Sequence, residues 1–428
     1  MLATTLLLLV GLLMISVPVA AVMGVLGLAL NQFYASMPLH RAMGEIIWNS
    51  SSEYILIAIP MFVMLGEILL RSGIAERVYN AIAQWLSWLP GGLMHANVGA
   101  SAMFAATSGS SVATAATIGT VALPQMEKRK YNEPLFLGSI AAGGTLGILI
   151  PPSINFILYG LLTSSSVPRL YLAGFIPGFM LAGFFMTIVF IMCVLDPRKG
   201  GIPLETSWIQ RFKVLPSLIP PTFIFLIVVG SIYAGVATPT EAASLGVMAA
   251  LILATYEGQL SLPMLRAVAE GTMRTTAMIM LIIMAAQFLN FVLAAIGVTD
   301  GLAKVIEGFG LGKYGTMILI VIFYLILGCF METISMMILT TPFIAPIVFG
   351  LGWDPIWWGI VLTILIEAAL ITPPVGLNLY VVQGMRQRGS INDVIKGAMP
   401  FLAGMIFLIA LLMIWPDVAL WLPRYIMG

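Results

Sequence analysis

The sequence is poor in charge, histidine and cysteine, and each shortage removes a class of protein. Charged residues make up 9% of the 428, against about 25% in soluble domains. A chain that is 60% hydrophobic cannot hide its apolar surface in one soluble core, so lipid must be part of its solvent. The net charge of +1 gives no footprint for nucleic acid. Cys193 and Cys329 lie in apolar runs and read as small buried hydrophobes, since neither has partners for a disulfide or metal site. His40 and His95 stand alone beside membrane-edge sequence and read as interfacial. There is no HExxH, no pair of membrane aspartates and no Ser/His pair at shared depth, which argues against an intramembrane enzyme. There is no GxxxxGK[ST] either, so this chain alone is no ATP-driven pump.

What is present is a series of apolar runs long enough for a hydrocarbon core of about 30 Å. They fall at 3–30, 54–70, 134–163, 171–195, 214–235, 240–256, 275–296, 355–384 and 398–416. The N-terminal MLATTLLLLVGLLMISVP has no basic start or cleavage site and reads as a retained span. With Pro18 at its middle, the first run is long for one helix and short for two, which leaves the side of the N-terminus open. Basic clusters at Lys128–Lys130, Arg198–Lys213, Arg266–Arg274 and Arg386–Lys396 mark the cytoplasmic side. All four can lie inside only if the further apolar segments 96–125 and 315–350 return to the side they entered. Both are therefore expected to be re-entrant helical hairpins. Residues 74–89, with Arg77, Trp85 and Trp88, suggest an interfacial helix, and 299–314 its counterpart on the other face.

A repeat organises these segments. Ser110, Pro124 and Pro151 are spaced by 14 and 27 residues, and Glu332, Pro346 and Pro373 repeat that spacing. Pro151-Pro152 and Pro373-Pro374 are each followed by an asparagine, Asn155 and Asn378. One offset of 222 aligns 54–165 with 275–385, and the orientation above inverts one against the other, as in many secondary transporters. A Pro-Pro pair removes two backbone donors and breaks each long segment. The freed carbonyls need protein, a cavity or an ion. Polar hairpin tips, SGSSVAT at 108–114 and METIS at 331–335, accompany the breaks. Hydroxyls with unwound carbonyls suit sodium, and helix N-termini suit a carboxylate. Glu332 at its tip reads as functional. Glu367 reads as support for the second break, and Glu67 as an ion-pair partner for Arg71 at i+4.

These stretches resemble the large membrane subunit of the tripartite ATP-independent periplasmic (TRAP) transporters. The likeness runs through SVPVA (16–20), IPMFVMLGE (59–67), WLPGGL (88–93), SGSSVATAATIG (108–119), GTLGILIPPSINFILYG (144–160), YLAGFIPGF (171–179), YAGVATPTEAASLG (233–246) and EAALITPPVGLNLYVV (367–382). Glu332 departs from it, because the family more often carries Asp there. The resemblance implies an elevator mechanism, a small four-helix membrane partner and a soluble periplasmic protein that delivers substrate.

The expected fold is an all-α polytopic membrane protein with two inverted repeats, each with a hairpin and a discontinuous helix. Its parts are 1–53, scaffold; 54–165, first repeat; 166–274, scaffold spans and a cytoplasmic loop; 275–385, second repeat; and 386–428, a C-terminal span. The expected function is sodium-coupled uptake of a small organic acid anion across a bacterial inner membrane, with sialic acid favoured and a C4-dicarboxylate next. Sodium is assigned to Ser108, Ser110, Ser111, Gly147, Pro151, Gly328, Glu332, Thr333, Thr372 and Gly376. Substrate is assigned to Ser111, Asn155, Glu332, Ser335 and Asn378. No cofactor is expected beyond sodium as coupling ion. The alternatives are a free-standing sodium/carboxylate symporter of related fold and a channel.

Overall fold

The computed structural model describes residues 2–15, 17–329, 331–386 and 388–428, without the side chains of residues 2, 3, 6, 14, 106–108, 299, 300, 303, 306 and 307. The described chain is helical throughout. It opens with α1 (Leu2–Met14), α2 (Val19–Tyr34), α3 (Met43–Ser51), α4 (Ala58–Arg71) and α5 (Ile74–Leu86). The first half continues with α6 (Leu93–Ser108), α7 (Ser111–Lys128), α8 (Glu133–Leu149) and α9 (Ile154–Thr163). The middle holds α10 (Val167–Leu195), α11 (Trp208–Val214), α12 (Ile219–Tyr233), α13 (Pro239–Tyr256) and α14 (Leu262–Ala295). Then come α15 (Val298–Gly308), α16 (Gly312–Leu327), α17 (Thr333–Gly350), α18 (Pro355–Ala369), α19 (Leu377–Met385), α20 (Ile391–Ile414) and α21 (Asp417–Met427). Among the described residues, 7 helical stretches are long and apolar enough to cross a membrane, or 8 if the bent pair α8–α9 is one span. Composition alone counts α17 as one of the 7, although the basic-loop argument makes it one arm of a hairpin.

The first apolar run divides at Pro18, which caps the start of α2. Thr4 near the start of α1 touches the Tyr34 hydroxyl at the end of α2, oxygen to oxygen 2.6 Å. The two helices therefore fold back on one another. At about 1.5 Å per residue neither reaches 30 Å, so the run expected as span material is a short helical hairpin.

Two packed groups of helices follow. One joins α2, α3, α4, α12, α13 and α14. The other gathers α6 to α10 and α16 to α21 around α8 and α18. Every residue of α8 from Leu135 to Leu149 is buried, as is α18 from Trp357 to Ala369. Neither helix has a polar face, as expected for helices enclosed by other helices. The second hairpin arm α7 packs on α19, and its counterpart α17 packs on α9, so each hairpin closes on the broken helix of the other half. Element ends repeat the offset of 222: α7 and α17 share it at both ends, and α8 and α18 at their first residues.

Linear boundaries do not follow this packing. Helices α10 and α20 lie outside the two repeats in sequence, yet both pack on α8. The cause is local. A Cβ on Gly138 would run into the Gly397 backbone, and one on Gly397 into the Pro134 carbonyl, so α8 and α20 meet backbone to backbone, as small residues permit in membranes. At the basic end of this contact the Arg386 guanidinium, 5% exposed, pairs with both Glu133 and Asp393.

Candidate substrate and ion site

Each hairpin tip is built by helix capping. Gly109 adopts a left-handed φ of 59° and turns the chain, after which Ser110 caps α7 by accepting from the Ala113 amide. In the second hairpin Glu332 caps α17. Its carboxylate accepts from the Ser335 amide at 3.1 Å, the Ser335 hydroxyl at 3.2 Å and the Thr333 hydroxyl at 2.9 Å. The first broken helix bends by 46° between α8 and α9, and both Pro-Pro bonds are cis. Gly147 allows α8 to meet the first tip, since a Cβ there would lie 2.9 Å from the Ser110 carbonyl oxygen. Gly328 does the same for the second hairpin against Ala369.

A cavity of about 320 Å³ brings the tips together. Ser110, Ser111, Asn155, Glu332 and Thr333 line it, facing Glu67 and Met278 of the other helix group. Three of the five residues assigned to substrate thus reach this space: Ser111, Asn155 and Glu332. Ser335 is buried under Glu332 and does not line it. Asn378 is also buried, and its amide donates to the Ala141 carbonyl at 3.2 Å. Among the sodium assignments, Ser110, Ser111, Glu332 and Thr333 line the cavity. Pro151, Thr372 and Gly376 belong to the breaks, and the Thr372 hydroxyl donates back to the Ala368 carbonyl. The Ser108 side chain lies outside the described residues.

The second break gathers backbone oxygens. Gly376 has φ 37°, and a Cβ added to it would lie 3.0 Å from the carbonyl oxygens of both Leu370 and Thr372. Two carbonyls thus converge where only glycine leaves room. One amide atom each of Asn155 and Asn378 is buried with no hydrogen-bond partner in the described chain. Buried polar atoms are normally paired; the Asn155 atom is the Nδ2 donor and the Asn378 atom the Oδ1 acceptor. Glu67 pairs with Arg71 at 2.9 Å, as its spacing suggested, but it also lines the cavity. Close helix approach puts it there: a Cβ on Gly271 of α14 would fall 2.7 Å from the Glu67 carboxyl carbon.

Sequence reasoning missed two features. Glu367 is completely buried, and the Ser111 hydroxyl lies 2.7 and 2.8 Å from its two carboxylate oxygens. His95, expected at the interface, is 1% exposed and bonds the Pro90 carbonyl at 2.8 Å, bracing the loop before α6. Both cysteines are buried and free.

Residues 6–418 match the family model described as tripartite ATP-independent periplasmic transporter, DctM component. The chain belongs to this family. The C4-dicarboxylate TRAP transporter large permease protein of Vibrio cholerae is 31% identical over 98% of this chain and 97% of its own length. The sialic acid TRAP transporter large permease protein of the same organism is 30% identical over 88% of each chain. A crystal structure of the Alcanivorax borkumensis YdaH transporter covers 98% of this chain and 99% of its own at a TM-score of 0.56 and 15% identity, a likeness of fold. As a TRAP large permease the chain is a multi-pass inner-membrane transport protein, and its relatives are permeases rather than enzymes. Membership also implies a small membrane subunit and a periplasmic binding protein as partners.

Proposed function

We propose that this permease carries a small organic acid anion inward with sodium, by moving the hairpin body past the other helix group. The observation that carries the reading is the cavity where both hairpin tips and the first helix break meet the α4–α14 face. The carbonyl cradle at Gly376 and the unpartnered Asn378 Oδ1 supply uncharged oxygen ligation suited to sodium, while the unpartnered Asn155 Nδ2 offers a donor to a carboxylate. The N-terminus of α7 at the first tip supplies amides for a carboxylate, whereas that of α17 is capped by Glu332. The moving body comprises α6 to α10 and α16 to α21, because α10 and α20 are locked onto α8. The stationary group is α2 to α4 with α12 to α14. The cavity lies against Val63 to Leu70 of α4 and Thr275 to Ile279 of α14, beside Arg71 and Arg274. By the basic-loop rule this is the cytoplasmic side, so the site stands inward.

Relatives named for C4-dicarboxylate and for sialic acid match over nearly the whole chain, which supports an organic acid cargo and leaves its identity to assay. Reconstitution tests the reading. In proteoliposomes with the small subunit, uptake should require a binding protein and inward sodium. It should quicken with an inside-negative potential, since each net charge moved is worth roughly 2.3 kcal/mol per 100 mV. Uptake indifferent to sodium and voltage would remove the coupling. Uptake that proceeds undiminished without any binding protein would favour a free-standing symporter.

A further inference from the structure

The use of Ser111 is decided by a residue 256 positions away. Its hydroxyl lies at hydrogen-bond distance from both oxygens of Glu367, and a serine has one proton to give. The two carboxyl oxygens bracket that hydroxyl, so the serine proton is directed to Glu367. Ser111 also lines the cavity and can turn only lone pairs towards it. An oxygen without an available proton can ligate a cation but cannot donate to a carboxylate.

The hairpins and broken helices hold no cationic counterpart for the acid. Residues 93–127, 131–168 and 314–385, which hold both hairpins and both broken helices, contain no lysine or arginine. The position related to Glu367 by the repeat offset is Thr145, which only bonds its own helix at Ala142. The position related to Ser111 is Thr333, which donates to Glu332 at 2.9 Å. Both tip hydroxyls therefore give their protons to a carboxylate. At the second tip the acid is the neighbouring residue, and at the first it comes from the opposite half. A carboxylate buried at membrane depth is costly and rarely kept without a role.

We infer that Glu367 is a positioning residue that makes Ser111 an acceptor-only ligand for a coupling cation and removes it from substrate recognition. This rests on the sodium-coupled reading and deepens it. The geometry ties the tip of the first hairpin to the centre of the second half, so cation binding at Ser111 also reports the fit between the halves.

Sodium activation of uptake by the complete reconstituted transporter tests the inference. Ser111→Ala and Glu367→Leu should each raise the half-saturating sodium concentration by about 10–100-fold, the usual effect of losing a ligand's supporting partner. At saturating sodium the substrate KM should stay within about twofold. The double variant should be no worse than either single, because both remove one unit. Glu367→Gln, which keeps an acceptor for the serine proton, should recover part of the loss. Sodium-dependent thermal stabilisation of the purified permease gives a second readout and separates folding failure from weak binding. Effects that multiply in the double variant, or a rise in substrate KM with unchanged sodium activation, would overturn the role given to Glu367. Wild-type uptake independent of sodium would instead defeat the underlying transport reading, so the two failures are distinguishable.

Discussion

Gly397→Val should leave little folded permease in the membrane. The added side chain would have to occupy the place of the Pro134 carbonyl, and helix backbones cannot yield as a flexible side chain can. Overpacking ordinarily costs about 1–3 kcal/mol. Here α8 and α20 would have to separate along their length, so a loss above about 3 kcal/mol is expected, a large share of a typical total stability. Gly384→Ala is the control, because nothing lies within 4 Å of the added carbon and the residue is helical. Thermal unfolding of the purified permease checks the pair. A Gly397→Val protein that melts with the control would mean that α20 is not locked to α8, and the body boundaries given above would have to be redrawn.

Glu332→Gln should abolish most sodium-dependent uptake while leaving the fold in place. A glutamine oxygen can still accept from the Ser335 amide, so the cap on α17 survives, and losing such a cap altogether would cost only about 0.5–2 kcal/mol. What disappears is the negative charge at the cavity wall. A fall of about 10–100-fold in sodium-dependent uptake is expected at equal expression. Glu67→Gln breaks an i,i+4 pair of a kind worth about 0–1 kcal/mol and should change uptake by no more than a few-fold. Equal losses in the two variants would place the functional charge on the stationary helices rather than on the hairpin.

Much of this architecture is legible in the chain because it is written locally. Pro-Pro pairs break helices wherever they fall, and the stretches 96–125 and 315–350 each fall on two successive helices, α6–α7 and α16–α17. The site residues on the tips, Ser110, Ser111 and Glu332, face one cavity because capping chemistry fixes each tip. Asn378 was legible as polar but not as turned towards Ala141, since side-chain direction depends on which helix crosses it. The link between Ser111 and Glu367 has no spacing signal at all. The only hint was an acid in a stretch without lysine or arginine, which says that a partner is needed and not which. The membership of α10 and α20 in the hairpin body was hidden for a similar reason. Glycines at 138 and 397 announce close approach but do not name each other.

Movement of the hairpin body past α14 is the central claim, and paired cysteines test it most directly. In a background with Cys193 and Cys329 replaced by serine, one cysteine goes at Ile334, which lines the inner cavity opposite Met278. The second goes either at Met278 or at Gln287, which lines a separate cavity of about 490 Å³ between α9, α14 and α17. The two α14 positions are nine residues apart, about 14 Å along the helix, more than two turns. The account predicts crosslinks at both levels, Met278 holding the site open to the cytoplasm and Gln287 holding it open to the periplasm, with sodium and substrate shifting their yields. Crosslinking at the Met278 level alone, under every sodium and substrate condition, would contradict the moving-body mechanism and favour a local gate.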